Sequence, residues 1–286
     1  MKKTIIVLVS ILVAVFIALS ILGAGGEYAA ERLFYRAMKG SGKITVNPDV
    51  APPAMIASVE KTFLKIIKKY PRTNTAKAAH ISLAEFYIFN KDYDKAFKLI
   101  GSILATKSFG NGVLSSAQFL KGFAYERQGK WDAALREYMA LRDNFTDTQF
   151  GIQIPMYIGK HYEDEGKTAE ANAAYADAAQ FYANLAAREK GKAMGYAALN
   201  FLMHSYMSVK NYEQAGRTLE EMIDTYPLPL TMSQQFPYID YIYTKELKRP
   251  DKAVAIYKGI QGRVKDEKLI KFLQGAIDAT EGKTKK

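Results

Sequence analysis

The chain has no cysteine among its 286 residues. That excludes a disulfide framework, a Cys-based zinc or iron–sulfur site and a thiol nucleophile. It also excludes a lipoprotein-type anchor, which needs an N-terminal Cys to carry the lipid. Histidine is scarce as well. His80, His161 and His204 are the three present. None lies in an H-E-x-x-H pattern, and none has a second His one turn away to complete a metal pair. The Gly-x-Ser-x-Gly elbow of the serine hydrolases is absent. "GSGK" at 40–43 lacks the Walker spacing and a preceding strand. "GAGG" at 23–26 only closes an apolar run. The "EDE" cluster at 163–165 precedes Gly166 and reads as a solvated turn rather than a catalytic carboxylate pair. "NFT" at 144–146 fits a glycosylation sequon, which matters only in a eukaryotic secretory setting. The expectation is a chain with no catalytic residues, no metal and no cofactor, hence no enzyme.

What is there begins with charge. The formal net charge is +11, and 49% of the residues are hydrophobic. Basic residues concentrate in two stretches. Residues 60–77 carry Lys61, Lys65, Lys68, Lys69, Arg72 and Lys77 against Glu60. Residues 245–271 carry nine Lys or Arg against four acids. Neither is interleaved with a nucleic-acid fold signature, so nucleic acid is not the expected partner. At the N-terminus, "MKKTIIVLVSILVAVFIALSILGAGG" holds no charge from Thr4 to Gly26. A bilayer-spanning helix needs ~20 apolar residues, and a signal-peptide core ~7–15. The run is long for a signal and lacks a clean A-x-A site. It reads as an uncleaved signal anchor, with cleavage as the alternative. Lys2 and Lys3 favour the cytoplasm, so the bulk of the chain is expected outside it. Residues 1–26 are thus assigned to a transmembrane helix, and 27–53 to a first helix and a Pro-containing loop.

Beyond Gly26 the apolar residues recur at helical spacing, broken by Gly, Pro and Asn. Little β-branched alternation suggests strands. The stretch also repeats itself. "YERQGKWDAALREY" places Tyr125, Trp131, Ala134 and Tyr138 at offsets 0, 6, 9 and 13. The same offsets give Tyr87, Tyr93, Ala96 and Ile100 upstream. Downstream they give Tyr162, Thr168, Ala171 and Tyr175, then Tyr206, Tyr212, Ala215 and Leu219. The last copy gives Thr244, Pro250, Ala253 and Tyr257. The alanines lie 38, 37, 44 and 38 residues apart. Each unit is a two-helix hairpin that cannot bury both faces alone, so hairpins stack.

Gly122, Tyr125, Gly129, Trp131, Ala134 and Tyr138 resemble the tetratricopeptide repeat (TPR). So do Gly159, Tyr162, Gly166, Ala171 and Tyr175, with Pro71 and Pro227 as the repeat's closing prolines. The resemblance implies an all-α, TPR-type α-solenoid of about five to six helix pairs over residues 54–262. Residues 263–286 follow as a capping helix and basic tail. The run "VEKTFLKIIKKYPRTNTAKAAHISLAEFYIFNKDYDKAFKLI" is similar to bacterial envelope TPR proteins. The TPR lipoprotein of outer-membrane β-barrel assembly is one such relative, although this chain lacks the lipobox Cys. A single N-terminal anchor followed by such repeats also resembles the ancillary subunit of the bacterial inner-membrane translocon.

The family's groove positions imply a partner-binding face on the first helix of each repeat. They fall on Ile81, Glu85 and Ile88; on Phe119, Phe123 and Glu126; on Met156, Lys160 and Glu163; and on Asn200, His204 and Met207. Phe119 and Phe123 stand one turn apart, able to seat an extended or helical peptide. The implied role is a membrane-tethered scaffold facing the bacterial periplasm that binds envelope proteins or exported chains. A subunit of an assembly or translocation machine is the first alternative, and an enzyme-associated domain for envelope polymers the second.

Overall fold

A computed structural model describes residues 25–46, 50–226 and 235–282. The apolar run at 4–26 lies almost wholly outside them. Among the described residues no helix is long and apolar enough to cross a membrane, and no strand is present.

The chain divides into two compact units, the first ending at Gly151 and the second starting at Ile152. In the first unit α1 (Gly25–Val46) and α2 (Pro53–Lys69) precede the hairpins α3 (Asn74–Phe89)/α4 (Tyr93–Leu104) and α5 (Gly110–Arg127)/α6 (Trp131–Asn144). The unit boundary falls in the first turn of α7 (Gln149–Asp164). The second unit continues with α8 (Thr168–Arg188), α9 (Ala193–Ser208) and α10 (Tyr212–Thr225). A helix that starts at residue 235 and is π-wound over Asp240–Glu246 then pairs with α11 (Pro250–Gln261), and α12 (Glu267–Thr280) follows.

Local signals set the helix starts. Thr73 Oγ1 accepts from Ala76 N at 3.0 Å, and Asp266 Oδ1 accepts from Leu269 N at 2.8 Å, each satisfying an orphan N–H. Pro53 and Pro250 occupy first-turn positions, where no N–H is needed. The first unit's core joins Phe63, Ile66, Leu83, Phe86, Ile100 and Ile103, with Phe34 edge-on to Phe63 at 6.0 Å. The second unit holds two clusters, one around Tyr182 and Leu199, the other around Tyr243 and Tyr257.

The five-fold register read from the sequence has a backbone signature. Lys91, Gly129, Gly166, Lys210 and Lys248 all have left-handed φ, between 56° and 73°. Each lies five residues before a repeat alanine. In four copies the next N–H bonds back to the repeat tyrosine's carbonyl. These are Asp92 to Tyr87, Lys130 to Tyr125, Lys167 to Tyr162 and Asn211 to Tyr206, at 2.8–2.9 Å. A 6→1 bond closing on a left-handed residue is the helix-ending motif that favours glycine. The fifth copy corrects the sequence reading. Arg249 N bonds to Tyr243 O at 2.7 Å, not to Thr244. The π-winding of Asp240–Glu246 widens the ring by one residue, so Tyr243 takes the aromatic slot that counting assigned to Thr244.

Three of these left-handed positions are lysines, and a side chain there costs ~1–2 kcal/mol. Glycine removes that cost but loosens the unfolded chain by ~0.4–1 kcal/mol. Lys210→Gly and Lys248→Gly are each expected to raise stability by ~0.5–1 kcal/mol, and Gly129→Ala to lower it by a similar amount. Urea unfolding of the three variants checks the signs. A loss on Lys→Gly would refute the strain argument.

α1 is locked by one residue. Glu27 Oε1 accepts from Thr75 N at 2.9 Å and from Thr75 Oγ1 at 2.6 Å, while Oε2 accepts from Asn74 N at 3.1 Å. A carboxylate thus caps the positive end of α3. The Thr75 hydroxyl, then the backbone N–H groups, hold the Glu27 carboxyl below its ordinary pKa. A group whose pKa is depressed on folding stabilises above its unfolded pKa and loses that contribution as pH falls through the folded value. Glu27→Gln is expected to cost ~1 kcal/mol at pH 7. The deficit against the parent chain should shrink as pH drops below the ordinary glutamate range. Paired urea curves at neutral and acid pH measure it, and a deficit that grows on acidification would contradict the cap.

Candidate functional site

The first helices of successive repeats lie side by side within the first unit, α3 against α5. Ile81, Glu85 and Phe89 are four residues apart on α3, and Phe119 and Phe123 are four apart on α5, so each set shares one helix face. The two faces meet where Phe89 and Phe123 pack edge-on at 6.1 Å. Phe123 is parallel to Phe119, with centroids at 6.1 Å. Phe119 stacks on Phe150 at 4.8 Å. The result is a row of four phenylalanine rings drawn from three first helices, all four half-buried. Glu85 stands exposed one turn from Phe89, and the surrounding protein raises its carboxyl pKa by desolvation. Ile81 is half-buried against the core beside it. This face offers apolar ring surface with one carboxylate at its edge.

The remaining groove candidates fare differently. Ile88 is 1% exposed and belongs to the core. Glu126 and Glu163 do not stand free in a groove. Tyr138 Oη donates to Glu126 Oε2 at 2.6 Å, and Tyr175 Oη donates to Glu163 Oε2 at 2.9 Å. Both are clasps within a hairpin. Each Glu follows by one turn a glycine, Gly122 or Gly159, that lies under the same tyrosine ring. A Cβ at Gly122 would sit 2.5 Å from Tyr138 Cε1, and one at Gly159 would sit 2.4 Å from Tyr175 Cε1. Desolvation and then the Glu163 carboxylate push the Tyr175 phenol up to about 12. The pattern recurs with Gly216, Glu220 and Tyr243, where Tyr243 Oη donates to Glu220 and a Cβ at Gly216 would meet that hydroxyl at 2.5 Å. Counting repeat positions missed this. A Gly-x-x-x-Glu with a Tyr sixteen residues after the glycine marks Gly122 and Gly159, but it also fits Gly166, where Tyr182 instead donates to Ile152 O.

In the second unit Met156 accepts a hydrogen bond from Ser205 Oγ at 3.1 Å, which ties α7 to α9. Lys160 is exposed and pairs with Asp164 at 2.5 Å and Glu163 at 3.5 Å. Asn200 is half-buried. His204 is half-buried edge-on to Tyr238 at 5.1 Å, and desolvation lowers its pKa. Met207 packs against the second unit's outer cluster. These residues make no continuous apolar face. A hollow of about 380 Å³ with a mixed lining opens nearby, bounded by Glu163, Asn172, Tyr175 and Lys210 together with Ala171 and Val209. Among the described residues no cluster of His, Asp and Glu could hold a metal ion. His80 packs on Phe109 at 5.2 Å, and His161 lies 3.3 Å from Glu165. Trp131 is half-buried and packs on Tyr138 at 6.0 Å, a wall residue of its hairpin.

Residues 116–148, which comprise most of α5 and all of α6, match the family model of the tetratricopeptide repeat. The chain is similar to a solved tetratricopeptide repeat protein from Parabacteroides merdae ATCC 43184. The two are 13% identical, with 88% of each chain covered and a TM-score of 0.37. It is also similar to BtubC (BKLC) from P. vanneervenii, at 16% identity, with 90% of this chain and 94% of that one covered and a TM-score of 0.40. No curated protein matches the chain. The segment 116–148 is thus a tetratricopeptide repeat, and its left-handed turn residue recurs at the matching place in four further hairpins.

Proposed function

We propose that the protein is a non-catalytic TPR scaffold, tethered to a membrane by residues 4–26, that binds a segment of another polypeptide on the α3/α5 face. The observation that carries this reading is the row Phe89–Phe123–Phe119–Phe150, half-buried and bordered by Glu85. Half-buried rings held by their neighbours are ordered before binding, so a partner's apolar side chain docks against them at low entropic cost. The occupant is a short extended or helical segment with an aromatic or aliphatic anchor and a basic residue positioned for Glu85. The setting is a bacterial envelope with the repeats outside the cytoplasm, which the uncharged N-terminal run after Lys2 and Lys3 supports. The test is photo-crosslinking in the full chain from positions 85 and 123, compared with positions 130 and 271 as exposed controls. Capture of one and the same polypeptide at 85 and 123 supports the reading. Equal capture at the controls, or none, would defeat it. Protease accessibility in spheroplasts checks the topology.

A further inference from the structure

α1 presents its two sides very differently. Ala30, Ala37 and Ile44 are buried, with Leu33 and Phe34 packed against the same core. Glu27 fixes the helix's rotation by capping α3. The opposite side therefore points away from the fold. It carries Tyr28 at 64% exposure, Tyr35 at 69% and Val46 at 85%. Positions 28, 35 and 46 follow a 7-11 spacing, which is one straight stripe on an α-helix. Arg32, Arg36, Lys39 and Lys43 flank it, all exposed, with Glu31 as the one exposed acid. Of seven large apolar side chains exposed among the described residues, four are on this helix. An aggregation-neutral surface does not concentrate them so.

We infer that this face of α1 lies on the headgroup layer of an anionic bilayer. Three observations select that occupant. Tyrosine has an apolar ring and a polar tip, and it belongs where hydrocarbon meets water. Arg and Lys stems lie along apolar surface while their charges reach lipid phosphates. Tyr28 also stands two residues past the uncharged run Thr4–Gly26, which places the start of α1 at the interface if that run is inserted. This last argument rests on the tether proposed above. A helix of 22 residues is ~33 Å long, so the contact would hold α2 and α3 close to the membrane rather than leaving them on a loose tether.

The absence of cysteine makes single-site labelling clean. Full-length protein is labelled with bimane at Tyr35→Cys, at Ala14→Cys in the apolar run, and at Lys130→Cys as a control. It is reconstituted in vesicles containing brominated lipid, with or without phosphatidylglycerol. The expected result is strong quenching at 14, none at 130, and quenching at 35 that is ~3-fold or more greater with phosphatidylglycerol and falls in 0.5 M salt. R32E/R36E/K39E/K43E should abolish quenching at 35 while leaving the circular dichroism and the quenching at 14 unchanged. Quenching at 14 without quenching at 35 overturns the inference and leaves the tether standing. No quenching at either site overturns both. Quenching at 35 that survives the four reversals, or that arises between copies without lipid, overturns the lipid assignment.

Discussion

Gly122→Ala is expected to destabilise the protein by up to ~2 kcal/mol, although alanine is the better helix former. Two effects oppose each other. In a helix interior, Gly→Ala gains ~0.8–1 kcal/mol from propensity. Here the added Cβ would lie 2.5 Å from Cε1 and 2.7 Å from Cδ1 of Tyr138. That ring is fully buried, and its hydroxyl is tied to Glu126 at 2.6 Å, so it cannot swing aside. Overpacking a rigid core site costs ~1–3 kcal/mol, so with contacts this short the steric effect outweighs the propensity gain and leaves a net loss of up to ~2 kcal/mol. Gly101 supplies the contrast. It lies inside α4 with nothing within 4 Å of its would-be Cβ. Gly101→Ala should stabilise by ~0.5–1 kcal/mol. The same chemical change thus carries opposite signs at two helical positions. Urea unfolding of both variants decides it, and equal effects would disprove the close approach. Gly122→Ala combined with Tyr138→Leu should lose less than the two single changes summed, because the clash disappears with the ring.

The hairpins were legible because their signals are local. Small residues at the helix crossing, an aromatic before the turn and an alanine nine residues later are set by hairpin geometry. That geometry repeats whatever the surface does. The left-handed turn was legible where it used Gly129 and Gly166. It was hidden where Lys91, Lys210 and Lys248 fill the same place, since nothing marks a lysine as left-handed. The π-winding at Asp240–Glu246 was also hidden. A one-residue widening leaves composition and periodicity nearly unchanged, so counting put Thr244 in the slot of Tyr243. The groove residues were legible only in part. Glu126 and Glu163 share a helix face with Phe119 and Met156 by count. They also follow Gly122 and Gly159 by one turn, and a tyrosine on the paired helix claims them. Which of two neighbouring faces a glutamate serves depends on what lies across the hairpin. A helical wheel of one helix does not contain that information.

Phe123→Ala is expected to weaken partner binding about 30-fold, a hot-spot loss of ~2 kcal/mol, while costing the fold less. The difference comes from where the ring sits. Phe123 is half-buried at the edge of the first unit's core, and its aromatic partners are Phe89 and Phe119, both on the proposed docking face. Phe119 touches the same face but also Tyr138, inside the hairpin, at 5.8 Å. Phe119→Ala therefore removes core packing and should lower stability and binding together. Phe123→Ala should separate them, with a large change in affinity and a small shift in urea midpoint. Glu85→Gln probes the edge of the site. If the docked segment brings a basic residue, losing the carboxylate weakens binding and flattens its salt dependence. Phe272 is 53% exposed on α12 of the second unit, and Phe272→Ala is the matched control for an exposed ring. Affinity for the captured polypeptide is measured by titration against each purified full-length variant. If Phe123→Ala binds as tightly as the parent chain, or if Phe272→Ala is equally weakened, the aromatic row is packing alone and the docking surface lies elsewhere.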